Sequence, residues 1–111
     1  MADDEVDRLF HALADATRRD IVVRTLKSEH SVSALARRHP MSFAAVQKHV
    51  AVLEEAGLVT KQRKGREQIV RGDVGTIRRA NKLLDELAGV WRDRVERMGE
   101  ILADDLTGGT R

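Results

Sequence analysis

The sequence predicts a mainly α-helical fold with one small β-hairpin, extended by a long C-terminal helix. Three observations carry that reading. Apolar residues recur at helical spacing in four short segments before residue 57. Residues 58–63 and 67–71 read as two short strands around a Lys64-Gly65-Arg66 turn. From residue 75 the heptad-spaced residues Ile77, Leu84, Trp91 and Met98 mark a helix too long for the small domain before it.

The elements follow in order. Val6, Leu9, Phe10 and Leu13 form the stripe of a first amphipathic helix. Asp15 offers an N-cap to a second, over residues 16–27, which would bury Ile21, Val22 and Leu26. Ser31 or Ser33 can cap a short third helix with Val32, Leu35 and Ala36 inward, ended by Pro40. Ser42 starts a fourth helix that Gly57 closes. Its stripe is Val46, Val50 and Leu53, and the opposite face carries Ala44, Gln47, Lys48 and Ala51. Gly65 supplies the positive φ of the hairpin turn. The last helix spans 75–103, with Ala80, Leu87 and Ile101 in the complementary heptad position and Arg94 interrupting it. Residues 104–111 are expected to be a flexible tail.

With 111 residues, the chain holds one small domain. Aromatic residues are only 3%, so its core must be aliphatic and thin, and association with a second chain would add burial. The absence of cysteine removes disulfides and thiolate chemistry and fits a cytoplasmic protein. The acidic start and the lack of a long apolar run argue against secretion and membrane insertion. Net charge is only +2, but its placement is informative. Residues 61–72 carry Lys61, Arg63, Lys64, Arg66 and Arg71 against Glu67 alone, and acids slightly outnumber bases on either side. A local excess of this kind suits a phosphate-contacting element, although a solubilising turn has the same composition.

Helix, helix, turn, helix and basic hairpin, in that order, describe a winged helix-turn-helix. In such motifs the second helix enters the major groove by its N-terminal end. Here Phe43, Ala44, Gln47 and Lys48 would face base edges. Gln can pair with adenine, Lys can donate to guanine, and Ala and Phe suit a thymine methyl. Ser42 at the helix start and Lys61, Arg63, Lys64 and Arg66 in the wing would hold phosphates. His49 lies beside them, either as a phosphate contact or bonded within the fold. Arg18 and Arg19 oppose the dipole at a helix start, which a phosphate or a carboxylate would relieve.

The stretch Ala12-Leu13-Ala14-Asp15-Ala16-Thr17-Arg18-Arg19 resembles the ALADPTRR segment of ArsR-type repressors, small bacterial winged helix-turn-helix proteins. Ser42-Phe43-Ala44-Ala45-Val46-Gln47-Lys48-His49-Val50 is similar to the family's S-x-x-A-V-S-K-H-L. Leu53-Glu54-Glu55-Ala56-Gly57-Leu58-Val59 and Lys64-Gly65-Arg66-Glu67 resemble its helix end and wing turn. These segments cover residues 6–72, and the long last helix is similar to a metal-independent branch. The resemblance implies a homodimer joined by the first and last helices, through Leu9, Ile77, Leu84, Leu87, Trp91, Met98 and Ile101. It also implies binding to an inverted-repeat operator and repression of its own or an adjacent operon.

Four departures stand out. Ala16 replaces a proline, Gln47 a serine or threonine, and His39-Pro40 a Leu-Gly turn. Gly72 replaces a leucine, which would loosen the wing's exit.

Other functions find less support. No Cys-x-Cys pair is present and no histidine follows His49, so neither metal nor cofactor is expected. His11, His30, His39 and His49 fall on separate elements, away from ligand spacing. There is no phosphate loop, nucleophile elbow or carboxylate pair, so an enzyme is not expected. The remaining alternative is a winged helix that binds protein instead of DNA. Lys48 and the basic wing argue against it.

Overall fold

The computed structural model describes residues 1–108, with side chains through residue 104. The first helix, α1 (Asp3–Leu13), opens on three acids that suit the positive end of its dipole. It buries Leu9 and Ala12. Phe10, expected inward, is instead exposed, because the inward face centres on that i, i+3 pair.

Helix α2 (Ala16–Lys27) is capped by Asp15, whose Oδ1 accepts from the Arg18 backbone N–H at 3.0 Å. That bond is the main reason the Asp15 carboxyl lies below its ordinary range. Arg18 lies 3.9 Å from the Asp15 carboxylate, the pairing expected for one of the two, whereas Arg19 has no acidic partner among the described residues. Their side chains turn back onto α1, Arg18 donating to the Ala12 and His11 carbonyls at 2.7 and 3.0 Å, and Arg19 to Leu13 at 2.8 Å. Both cations thus sit at the negative end of α1 and satisfy its orphan carbonyls. Ile21, Val22 and Thr25 are buried, but Leu26 is not. Thr25 takes the inward position, its hydroxyl donating to the Ile21 carbonyl.

A two-residue strand, β1 (His30–Ser31), precedes α3 (Val32–Arg37). No periodicity foretold it, since two residues carry none. Ser31, and not Ser33, caps α3 by accepting from Ala34 N–H. Helix α4 (Phe43–Glu55) is capped by Ser42 and buries Val46, Val50 and Leu53. It ends in a paired closure, with Gly57 N–H donating to Glu54 and Leu58 N–H to Leu53, and Gly57 at φ +76°.

Strands β2 (Val59–Lys64) and β3 (Glu67–Gly72) complete an antiparallel sheet of order β1-β3-β2. Lys64 pairs with Glu67, so the turn is the two residues Gly65-Arg66. Gly65, at φ +63°, holds the first central position, as a type II′ hairpin requires. Gly72 does not loosen the exit of the hairpin. A Cβ there would stand 2.7 Å from Leu26 Cδ2 and 2.9 Å from the Leu26 backbone N, so glycine permits a close approach to α2.

Asp73 caps α5 (Val74–Gly108) by accepting from Thr76 N–H. The expected tail is helical as far as Gly108, and its residues 109–111 lie outside the described residues. The contacts divide into two units, residues 1–80 and residues 81 onward. The first holds the aliphatic core, in which Leu9, Ile21, Leu35, Leu53, Leu58 and Val70 are almost fully buried. Among the described residues no buried side-chain polar atom lacks a hydrogen-bond partner.

Candidate nucleic-acid interface

The surface of α4 opposite its buried stripe is small and polar. Phe43, Ala44, Gln47, Lys48 and Ala51 are all exposed. Ser42 Oγ accepts from Ala45 N–H at 3.1 Å, so the hydroxyl is the cap itself and keeps its own hydrogen for a further acceptor. The first turn of α4 carries no acidic residue to oppose an incoming anion.

Facing this end of α4 is the tip of the hairpin. Phe43 and Gln47 share with Ser33, Arg63, Arg66, Glu67 and Gln68 a groove of about 200 Å³. Arg63 Nε donates to the Gly65 carbonyl at 3.2 Å. Among the described residues neither Arg63 nor Arg66 pairs with a carboxylate, nor does Lys48. Two guanidinium groups and a lysine thus border the groove and the exposed face of α4 without an ion-pair partner, and Glu67 is the one acid that lines the groove with them.

The other wing cations are paired. Lys61 Nζ lies 3.7 Å from Glu54, at the far end of α4. Glu29, which precedes β1, holds Arg71 at 2.5 Å and Lys64 at 3.5 Å. The hydrogen bond from Arg71 is the main reason its carboxyl lies below the ordinary range. Among the described residues, Arg63 and Arg66 are therefore the hairpin cations left without an ion-pair partner.

His49 sits on the flank of α4, half-buried, with Nδ1 at 3.3 Å from Arg18 Nη1. A guanidinium only donates, so Nδ1 is the acceptor and the ring hydrogen is on Nε2. Arg18 joins three elements by this contact: the end of α1, the cap of α2 and the exposed flank of α4.

Comparisons with known proteins converge on one description. A helix-turn-helix domain model matches residues 13–62. Over 67 residues, 60% of this chain, the sequence is 42% identical to the HTH-type transcriptional regulator Rv2034 of Mycobacterium tuberculosis. The match spans 63% of that protein's length, just under two thirds. An ArsR-like transcriptional regulator from Rhodococcus sp. RHA1 superposes with a TM-score of 0.78 and 31% identity, over 88% of this chain and 92% of its own. The chain belongs to the ArsR family of winged helix-turn-helix transcriptional regulators. The homodimeric winged helix-turn-helix DNA-binding domain of Mb0332 from Mycobacterium bovis matches with a TM-score of 0.63 and 26% identity, over 80% of this chain and 88% of its own.

The residues named for DNA thus fall into two groups in this ArsR-family regulator. Ser42, Phe43, Ala44, Gln47, Lys48, Arg63 and Arg66 share one surface region. Lys61, Lys64 and His49 are each engaged inside the fold. Ser33 and Gln68 line the groove and were not foreseen, since only the folded hairpin brings them near α4. Of the residues named for a dimer seam, Leu9 is 1% exposed and Ile77 packs against the same core, so neither offers a partner much surface. Leu84, Leu87, Trp91, Met98 and Ile101 are each about half exposed or more. Among the described residues no three potential metal ligands gather, and no helix is long and apolar enough to cross a membrane.

Proposed function

We propose that the chain is a homodimeric repressor that binds an inverted-repeat operator, reading bases with α4 and holding the backbone with the wing. The observation that carries this is the groove between Gln47 and the unpaired Arg63 and Arg66. A base-reading side chain and two phosphate-seeking cations share one surface. Phe43, Ala44, Gln47 and Lys48 form the reading face. The hydrogen of Ser42, Nε2–H of His49, Arg63 and Arg66 are donors for phosphate, with Lys61 and Lys64 as secondary contacts that must first leave their carboxylates. The apolar stripe Leu84, Leu87, Trp91, Met98 and Ile101 is the seam between copies. The homodimeric mycobacterial relative supports that assembly. An inverted repeat follows from a two-fold dimer with one reading helix per half-site. In this reading the protein is cytoplasmic and needs no metal or cofactor.

Two substitutions test the division of labour. Gln47→Ala should relax the preference at one operator position, costing roughly 1–3 kcal/mol against the preferred base. Arg66→Ala should weaken all duplexes alike and lower the salt slope by about one unit. Uniform weakening by both substitutions would refute base reading by α4 and favour a general-affinity or protein-binding surface.

A further inference from the structure

The turn between α3 and α4 is fastened to the body of the fold by a network that DNA reading does not itself use. The His39 side chain is only 10% exposed, and both of its ring nitrogens meet acceptors. Nδ1 lies 2.8 Å from the Leu35 carbonyl oxygen, and Nε2 lies 2.8 Å from Asp20 Oδ2 on α2. A carbonyl and an ionised carboxylate can only accept. Both contacts are hydrogen bonds at once only when both ring nitrogens carry hydrogen.

Asp20 is suited to that role. Arg24 Nε donates to it at 2.8 Å, and this bond, followed by the one from His39, keeps its carboxyl below the ordinary range despite partial burial. Pro40 adds no N–H to the turn, whose backbone bonds run from Arg38 to Leu35, from His39 to Ala36 and from Met41 to His39. Beside the packing of Met41 on the core, the polar link from turn to α2 runs through the imidazole.

We propose that His39 is a positioning residue of the DNA-reading motif. In its doubly protonated form it ties the α3–α4 turn to α2 and so fixes the angle at which α4 is presented. The proposal rests on the reading of α4 as the base-reading helix. Loss of one ring proton sets a lone pair against an acceptor and breaks one of the two bonds, to Leu35 or to Asp20, which loosens the turn. The charged groups at the ring are Asp20 and, through it, Arg24 of α2, and these two line a cleft with Lys27 and His30 that His39 itself does not line. Arg37 and Arg38, adjacent in sequence, are exposed. DNA affinity should therefore fall as rising pH removes the proton.

Asp20→Asn separates the tie from its charge. The Asn amide can donate to Nε2, so a neutral His39 keeps both bonds and the pH response should flatten. His39→Leu, which has no ring to titrate, is the second variant and should be equally flat. The full-length chain and both variants are titrated onto a duplex carrying the upstream region of its gene, at about pH 6 and about pH 8.5. Ring nitrogen resonances of His39 are recorded by NMR at both values.

The wild type should lose about tenfold more affinity over this interval than either variant, the worth of one hydrogen bond to a charged group. His11, His30 and His49 are common to all three proteins and cancel in the difference. Equal pH responses, or a bare ring nitrogen on His39 at the lower pH, would overturn the proposal. Absence of DNA binding at either pH would sink the functional reading instead, and the ring resonances would still decide the tie.

Discussion

Residues 1–80 and the helix from residue 81 onward use similar proportions of aliphatic sequence to opposite ends. In the first unit Leu9, Ile21, Leu35, Leu53 and Leu58 have almost no contact with solvent. In the second, Leu84, Leu87, Val90, Trp91, Met98, Ile101 and Leu102 are each roughly half exposed or more, and Arg94 lies 5.9 Å from the Trp91 ring centroid. The first unit buries its main aliphatic residues internally, with α2, α3 and α4 capped by Asp15, Ser31 and Ser42 and α4 closed by a glycine. The second presents a stripe of a size that single soluble chains rarely leave uncovered. The first unit has a core complete in one chain, whereas the helix, in the proposed dimer, is half of an interface.

The sharpest way to break that contrast is to attack the stripe. Trp91→Ala should cost the dimer roughly 3–5 kcal/mol, the usual loss for a large buried aromatic. Leu84→Arg should act similarly, and analytical ultracentrifugation would then show monomers. Dimers surviving both changes would move the seam elsewhere. Next in size is Leu35→Ala in the reading head, at about 2–5 kcal/mol. Its urea midpoint should drop by the same amount at every protein concentration, whereas Trp91→Ala should alter the concentration dependence itself.

Two smaller effects sharpen the account of the head. Gly72→Leu restores a residue common in the family, yet here it drives a side chain into Leu26. It should destabilise by about 1–3 kcal/mol, read from thermal melts. A stabilised variant would show that the sheet edge can move away from α2. Ser42→Ala should cost about 1 kcal/mol through loss of the α4 cap.

The smallest effect is on pH. Asp15 and Asp20 have folded-state values below the ordinary 3.8. Their contribution is complete above that value and is lost as the pH falls through the lowered ones. Melting temperatures between about pH 3 and pH 6 should therefore fall on the acid side, and less steeply in Asp20→Asn.

What could be read from the chain was local. The caps at Asp15 and Ser42, the closure at Gly57 and the heptad of α5 are each written within a few neighbouring residues. The hidden features depend on contacts across the fold. Glu29 reduces the charge of a wing 35 and 42 residues away. Arg18 and Arg19 look misplaced at the start of α2 until their side chains are seen on the end of α1. Gly72 reads as a loose joint until Leu26 is placed against it. Phe10 and Leu26 fit a helical stripe but lie outside the narrower arc that this small core buries.

The central claim is that a complete reading head works in pairs on DNA. It is tested most directly by fluorescence anisotropy of the purified protein on its gene's upstream region, against a scrambled duplex, at two salt concentrations. The expected result is preference for the upstream region, two protomers per site, and an affinity that weakens steeply with salt. Binding to neither duplex at low salt, or equal binding of single protomers to both, would contradict it.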